Sequence, residues 1–403
     1  MRRNRRQHRI ATALAFCLGL ALTTGLFGFS TAATDAGELP VLRVGHVGHD
    51  HQIALGVAAL KGRDFQADCG VWFQELKPRE VYILHERETP LAELHLIKVQ
   101  GGSAMPAAME RGDLDIGLGG VPAVAFFVDR GNDFKILAPL NTDGDMLVMR
   151  NDFEAAHWQD FVRLVKQAER PLIIGYKAPV AVAKLVFERG LMAEGIAYGA
   201  PREQTGAKAA VKIRLTNLQG QKNMIPSLAS GAVDGFVTNE PAASRAEVVG
   251  CGRVVCDLAD LPPEGKWRNH PCCCVAARAE AITQHSEILV ALLKAIVAAT
   301  EQINTDKVQA AEMASQWTKT PLEVESRSVP HIRYLATPSP EWRRGMTVWI
   351  EMMQEMDTFQ ERFADLEADK VMDRLCDFTL ISRAQDELKA ERESKEKDKP
   401  ALE

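Results

Sequence analysis

Short apolar runs separated by glycine-containing turns recur along the chain. Residues 41–47, 116–119 and 134–139 read as buried strands of a first section, and 172–176, 235–239 and 253–257 as strands of a middle section. Apolar residues at three- and four-residue spacing predict helices over 178–191, 287–304 and 341–359. Strands alternating with helices point to an α/β protein with largely parallel sheets.

One stretch of this pattern occurs twice. In the first copy an apolar strand (94–99) runs into Gly101-Gly102-Ser103, then a short segment with an early proline, Pro106, that closes on Gly112 before Asp115. In the second, residues 211–218 run into Gln219-Gly220, then a segment with Pro226 that closes on Gly231 before Asp234. Proline suits a first helical turn, and glycine suits the position just past a helix end. Each copy is therefore a β-α-β unit. Two such units suggest two similar lobes with a cleft between them, although duplication for structure alone gives the same pattern. Ligands of open α/β sheets bind beyond the carboxyl ends of the strands, so the turns that follow the strands are the ones to inspect.

The two ends of the chain differ from its body. Arg2, Arg3, Arg5, Arg6 and Arg9 precede an apolar run over residues 10–29, and Ser30-Thr31-Ala32-Ala33 follows. That is the pattern of a secretory signal peptide, residues 1–33, cleaved after small residues. An uncleaved anchor is the alternative, since the run approaches the length of a bilayer span. Cys17 lies inside the run, a poor context for lipid attachment. No later segment is expected to span a membrane. Removing this leader takes away five arginines and no acids, so the net charge of the 403-residue chain moves from −6 to −11. With no basic stripe left, nucleic acid is not an expected partner. Residues 383–403 are almost all charged or alanine and read as a solvated, fraying helix or a disordered tail.

Composition then matters chiefly through cysteine. The triplet Cys272-Cys273-Cys274 follows Asn269-His270-Pro271. Soft thiolates suit zinc, copper(I) or iron, but successive side chains in a strand face opposite ways, which pairs Cys272 with Cys274 and leaves Cys273 apart. Buried inert thiols and a disulfide are the other readings, and seven cysteines after the leader leave at least one unpaired. The second feature is the turn Gly45-His46-Val47-Gly48-His49-Asp50-His51 at the end of the first strand. His49, Asp50 and His51 could bond a ligand, or His49 and His51 could join Cys272 and Cys274 around a metal. The bland reading is a helix capped by Asp50.

The remaining candidates come from the other turns. Gly102 and Ser103 offer backbone N–H groups and a hydroxyl, Gly119-Gly120 permits close approach, and Tyr176-Lys177 supplies an aromatic and a cation. Gln219, Asn223, Asn239 and Glu240 supply amides and a carboxylate. Asp143-Gly144-Asp145 reads as hinge and turn. The chain shows no P-loop, no Ser/His/Asp arrangement and no supported pair of catalytic carboxylates, so neither catalysis nor a cofactor is expected.

On Arg111-Gly112-Asp113-Leu114-Asp115-Ile116-Gly117, Ser230-Gly231-Ala232-Val233-Asp234-Gly235 and the helix after His285, residues 42–381 resemble the periplasmic substrate-binding proteins of nitrate, sulfonate and taurine ABC transporters. These share their fold with the thiamine-pyrimidine synthases. The resemblance implies a two-lobed periplasmic binding protein fold of type II, with two crossovers and C-terminal helices. Lobe one would hold 41–142 and 279–381, and lobe two 143–278, with crossings near 141–149 and 272–278. Residues 69–93 would be an insertion, with a hairpin around 82–84 and 91–96. It also implies an exported, monomeric protein that hands a small molecule to a membrane permease. The synthases carry three cysteines, one other residue and a fourth cysteine at the equivalent crossing; here Val275 and Ala276 follow the triplet. Their lysine and histidine after the third strand correspond to Gly119 and Ala123, which can do neither job. The resemblance thus implies capture rather than synthase chemistry, with a neutral or weakly anionic ligand favoured because Lys177 is the lone cation among the candidate loops.

Overall fold

The computed structural model describes residues 38–102, 104–199 and 211–397. The expected signal peptide, Ser103 and the last six residues lie outside them. Fourteen strands form two sheets among the described residues. The first holds β1 (Val41–His46), β2 (Val71–Lys77), β3 (Val81–Glu86), β4 (Thr89–Lys98), β5 (Ile116–Gly120), β6 (Phe134–Thr142), β13 (Pro271–Arg278) and β14 (Arg333–Tyr334), in the order β14-β6-β13-β5-β1-β4-β3-β2. The second holds β7 (Asp145–Arg150), β8 (Leu172–Tyr176), β9 (Tyr198–Gly199), β10 (Ile213–Asn217), β11 (Gly235–Asn239) and β12 (Gly252–Asp257), in the order β12-β7-β11-β8-β10-β9.

The parallel core of each sheet is the duplicated unit. β1 pairs in parallel with β4 and β5, and β8 with β10 and β11. The proline-led helices are Met105–Glu110 and Met224–Ala229, and the glycines that end them, Gly112 and Gly231, sit at φ +77° and +72°. The aspartate three residues on does one job twice. Asp115 accepts the Arg43 backbone N–H (2.8 Å) and its guanidinium (2.6 and 3.0 Å). Asp234 accepts the Ile173 N–H (2.9 Å) and the Arg170 guanidinium (2.7 Å twice). Each clamps the incoming strand to its neighbour at the end away from the turns.

The sheets are mixed rather than parallel throughout. β7 runs antiparallel between β11 and β12 in the second, and β13 runs antiparallel between β5 and β6 in the first. The 69–93 insertion is a meander: β2 and β3 pair antiparallel with each other, and β3 with β4, widening the first sheet at one edge.

The chain passes between sheets at Asp143-Gly144 and again over residues 258–270. The second passage comes earlier than the 272–278 expected, because the buried run Pro271–Arg278 is apolar enough to enter the first sheet as a central strand. At the first passage Asp143 and Gly144 both take positive φ (61° and 78°). His270 lies against Asp143 (3.4 Å) and Asp145 (3.1 Å). Burial opposes its charge, but the two carboxylates win and lift its pKa to about 10.

The charged C-terminal segment takes the helical of its two readings, and one face of it is docked rather than solvated. The helix Thr379–Lys397 buries Ile381, Ala384 and Leu388, and packs on the helix Ser286–Thr305. Lys294 of that helix is buried and bonds Glu86 (2.8 Å) and Glu391 (3.2 Å), with Glu387 at 3.5 Å. Ser286–Thr305 is also long and apolar enough, by length and composition, to cross a membrane, contrary to expectation, yet it is buried within this fold.

Candidate functional site

The carboxyl ends of β1, β4, β5 and β6 and the start of antiparallel β13 converge on one edge of the first sheet. They face the ends of β8, β10 and β11 across a cleft. The two glycine turns of the duplicated unit meet there. A cavity of about 270 Å³ is lined by Val47, Gln100, Gly101 and Ala104 on one side and by Lys177, Pro179, Asn217, Gln219 and Gln221 on the other. A Cβ added to Gly220 would lie at an ordinary contact distance, 3.7 Å, from the Gln100 carbonyl oxygen, so its φ of +120° rather than crowding is what favours glycine there.

The histidine turn is pinned from three sides. Gln52 accepts the Val47 N–H (2.7 Å) and donates to the Leu118 carbonyl (2.5 Å), and the Tyr334 hydroxyl donates to the Asp50 carbonyl (3.0 Å). The expected cap is corrected here: His49, not Asp50, caps the turn, its Nδ1 accepting the His51 N–H (3.2 Å). The Asp50 carboxyl is fully buried without a hydrogen-bond partner among the described residues. Burial and the nearby Glu325 push its pKa well up, which favours a neutral acid over a ligand-binding carboxylate.

His49 reaches across the cleft to Asn239, with Nε2 and Nδ2 3.5 Å apart. Both atoms are donors. His49 uses Nδ1 as an acceptor, and burial keeps the ring neutral, so Nε2 carries the proton. The amide of Asn239 is oriented by Lys177, which donates to its Oδ1, and by the Glu240 carbonyl, which accepts from Nδ2 (3.0 Å). The His49 N–H thus faces a donor, while the amide and the ammonium each give one proton to a protein acceptor and hold others free to give.

Beneath it lies the cysteine triplet, and its arrangement differs from the strand rule. The β13 ladder is irregular between Pro271 and Cys273, leaving Cys272 as an extra residue on a bulge. The Cys272 and Cys273 sulfurs therefore lie on one side, 4.0 Å apart, and Cys272 Sγ is 3.1 Å from His51 Nδ1. Cys274 turns the other way, toward the Gly119 carbonyl (3.6 Å), and no disulfide forms among the described cysteines. The expected pairing of Cys272 with Cys274 is thus replaced by Cys272 with Cys273. His49 does not belong to this donor group, whose three atoms all lie within 4.8 Å of one another. The Cys272 hydrogen bond outweighs burial at Cys273 and, with His51, pulls its pKa to about 5, whereas burial pushes Cys272 well up.

Other expected site residues serve the scaffold. Asn223 donates to the Leu218 carbonyl (2.6 Å), closing its own turn. Glu240 is buried and accepts from the Ser244 hydroxyl (2.8 Å) and N–H (2.9 Å), while His331 of the first lobe lies 2.7 Å away. Tyr176 packs under the Lys184 ammonium. Gly102 sits against the Gly120 backbone, so Gly102, Gly119 and Gly120 are close-approach positions within the first sheet. Conversely, Gln100, Asn217 and Gln221 line the cavity, and Asn141 bonds the cysteine strand, without having been singled out. Gln100 and Gln221 flank the glycines that were, so the signal was adjacent. Lys98, at the end of β4, adds a second cation near His46 and His49.

Two α/β sheets joined by two crossings, with a cleft at their carboxyl ends, define the two-lobed periplasmic binding protein fold. Solved structures share it. The ligand-binding component of an ABC-type import system from Staphylococcus aureus, with zinc bound, matches 86% of this chain and 99% of its own at a TM-score of 0.64 and 14% identity. The periplasmic nitrate-binding protein NrtA from Synechocystis PCC 6803 matches 87% and 89% (0.61, 14%). The alkanesulfonate-binding protein SsuA from Xanthomonas axonopodis pv. citri, bound to MOPS, matches 87% and 99% (0.56, 14%). The chain belongs to the NMT1-like family, whose model matches residues 72–318. An uncharacterized protein of Methanocaldococcus jannaschii is 29% identical over 121 residues, 30% of this chain and 83% of that protein.

Proposed function

We propose that this protein is an exported, monomeric solute-binding protein that holds a small acceptor-rich molecule between its lobes and delivers it to an ABC-type permease. The observation that carries this reading is the meeting of His49 Nε2–H, Asn239 Nδ2 and the Lys177 ammonium at the cleft, where His49 Nε2–H faces a donor and the other two keep protons beyond those given to Asn239 Oδ1 and the Glu240 carbonyl. An oxygen of a sulfonate, carboxylate, nitrate or ring carbonyl placed there would take donors from both lobes at once. Buried unsatisfied donors cost about 1–3 kcal/mol each, so a ligand that accepts from them favours the closed arrangement. The cavity is at the small end of ligand sites, which usually span ~300–1,000 Å³. Val47, Ala104 and Pro179 give it apolar walls that fit a short organic body, and Lys177 joins it to the donor group, since His49 and Asn239 do not line it. The solved relatives above, which bind nitrate or a sulfonate, support the same class. Lys98 and Lys177 together shift the expectation from neutral toward anionic solutes.

A thermal-shift screen with short alkanesulfonates, nitrate, dicarboxylates and pyrimidines tests this directly. At a hundredfold excess over Kd, one member should stabilise the protein by about 2.7 kcal/mol. Lys177→Met should remove that gain. A flat response across the whole panel, or an undiminished shift in Lys177→Met, would count against capture at this cleft.

A further inference from the structure

We propose that His51, Cys272 and Cys273 form a three-coordinate site for a thiophilic d10 cation, copper(I) or zinc(II), at the floor of the cleft. Three independent features of the chain converge on it. The first is donor geometry. Two sulfurs each ~2.3 Å from a metal and 120° apart are separated by about 4.0 Å. The Cys272 and Cys273 sulfurs are 4.0 Å apart, and the His51 Nδ1 completes a group within 4.8 Å. That spacing exists only because the bulge at Cys272 turns a side chain that would otherwise face the opposite side of β13.

The second feature is the shell around the imidazole. Asn141 accepts the Cys273 N–H through Oδ1 (3.2 Å), which fixes its amide and points Nδ2 at His51 Nδ1 (2.9 Å). Nδ1 is therefore an acceptor, and Nε2–H donates to the Gly144 carbonyl (3.3 Å). A ligating histidine has this arrangement: one nitrogen with its lone pair toward the metal and the other tied to a backbone carbonyl. Asn141 Nδ2 keeps the Asp143 carbonyl, at 3.4 Å, when a metal takes that lone pair.

The third is burial. All three ligands are within a few per cent of fully buried, so the site excludes water and favours soft, low-coordinate binding over hydrated hard ions. Among the described residues this donor group contains no fourth His, Cys, Asp or Glu. A bound zinc would thus keep an open position toward the cleft, and copper(I) would be satisfied with three donors. Both cysteines bind as thiolates, so any thiol proton still held is released to solvent on metal entry. Gly144 lies at the first crossing between the sheets, so the site touches both the cleft floor and the hinge.

The test uses the whole protein, reduced and stripped with a chelator, and titrated without oxygen with copper(I) against a colorimetric copper(I) chelator, and in parallel with zinc(II). One equivalent of at least one ion should bind. Cys272→Ser and Cys273→Ser should each weaken it at least tenfold, while Cys274→Ser, whose sulfur faces away, should leave it unchanged. Melting curves of the metal-free variants control for folding. X-ray absorption of the loaded wild-type protein gives a readout that needs no variant, with two sulfurs near ~2.3 Å and one nitrogen expected. Absence of stoichiometric binding, an equal loss in Cys274→Ser, or a first shell without sulfur would overturn the proposal. Lys177→Met should bind metal normally, which separates failure here from failure of the solute reading.

Discussion

His46 is the last residue of β1 and differs in kind from His49 and His51. It is buried against Trp317, and neither ring nitrogen has a hydrogen-bond partner among the described residues. Burial first, and the nearby Lys98 and Arg79 after it, lower its pKa to about 4. The neutral ring costs nothing above the unfolded value near 6.5, because both states are then unprotonated. As pH falls from there toward 4, the unfolded chain takes up a proton that the folded one refuses. Stability should therefore drop by about 2 kcal/mol between pH 7 and pH 5 from this residue alone. Denaturant unfolding at the two pH values should show that loss shrinking in His46→Leu; an identical pH dependence in the variant would rule the ring out as its source. Residue type was legible for His49, Lys177 and Asn239, since polar residues after strand ends are where such sites form. Two things were not. The direction of Cys272 depends on a bulge, and a bulge is a property of how β13 pairs with β6, not of three identical letters. The role of Asp50 depends on burial beside Glu325, a residue far away in sequence.

At the scale of elements, the duplicated unit was the most legible part of the chain. Its strand, turn, proline-led helix and closing glycine appear where the pattern placed them, because each is set by local chemistry. What the pattern left open was the aspartate that ends each copy. The structure makes Asp115 and Asp234 matching clamps between neighbouring strands. Asp234→Ala removes both bonds to Arg170 and strands the Ile173 N–H, so it should cost about 2–3 kcal/mol in a urea titration. Asp115→Ala should act in the same direction. A change below about 0.5 kcal/mol, the usual range for surface substitutions, would mean the carboxylates merely decorate the strands. A helix over Thr379–Lys397 was one of two readings of the charged segment, and what its composition hid is the docking. Its charges hide three small apolar contacts and a carboxylate partner for buried Lys294. A window that averages over the segment sees only solvation.

For the whole molecule, the placement of the second crossing shows why tertiary pairing overrides a boundary read from sequence. Pro271–Arg278 is apolar throughout its buried stretch, and an antiparallel slot between β5 and β6 accepts it. That slot carries the cysteines to the cleft floor beside His51. Contacts across the cleft then come from both lobes: His49 with Asn239, His331 with Glu240, and Gln100 near Gly220. Hinge closure stabilised by a shared ligand follows naturally from such a surface. The measurement that bears most directly on this is calorimetric titration of the best solute from the screen into wild type, His49→Leu and Asn239→Leu. One variant comes from each lobe, and each loses a donor to the same point. One site per chain is expected, weakened at least tenfold by either change, the loss of about 1.4 kcal/mol or more expected for a hydrogen bond to an anion. Binding that depends on one lobe only, or on neither residue, would contradict it.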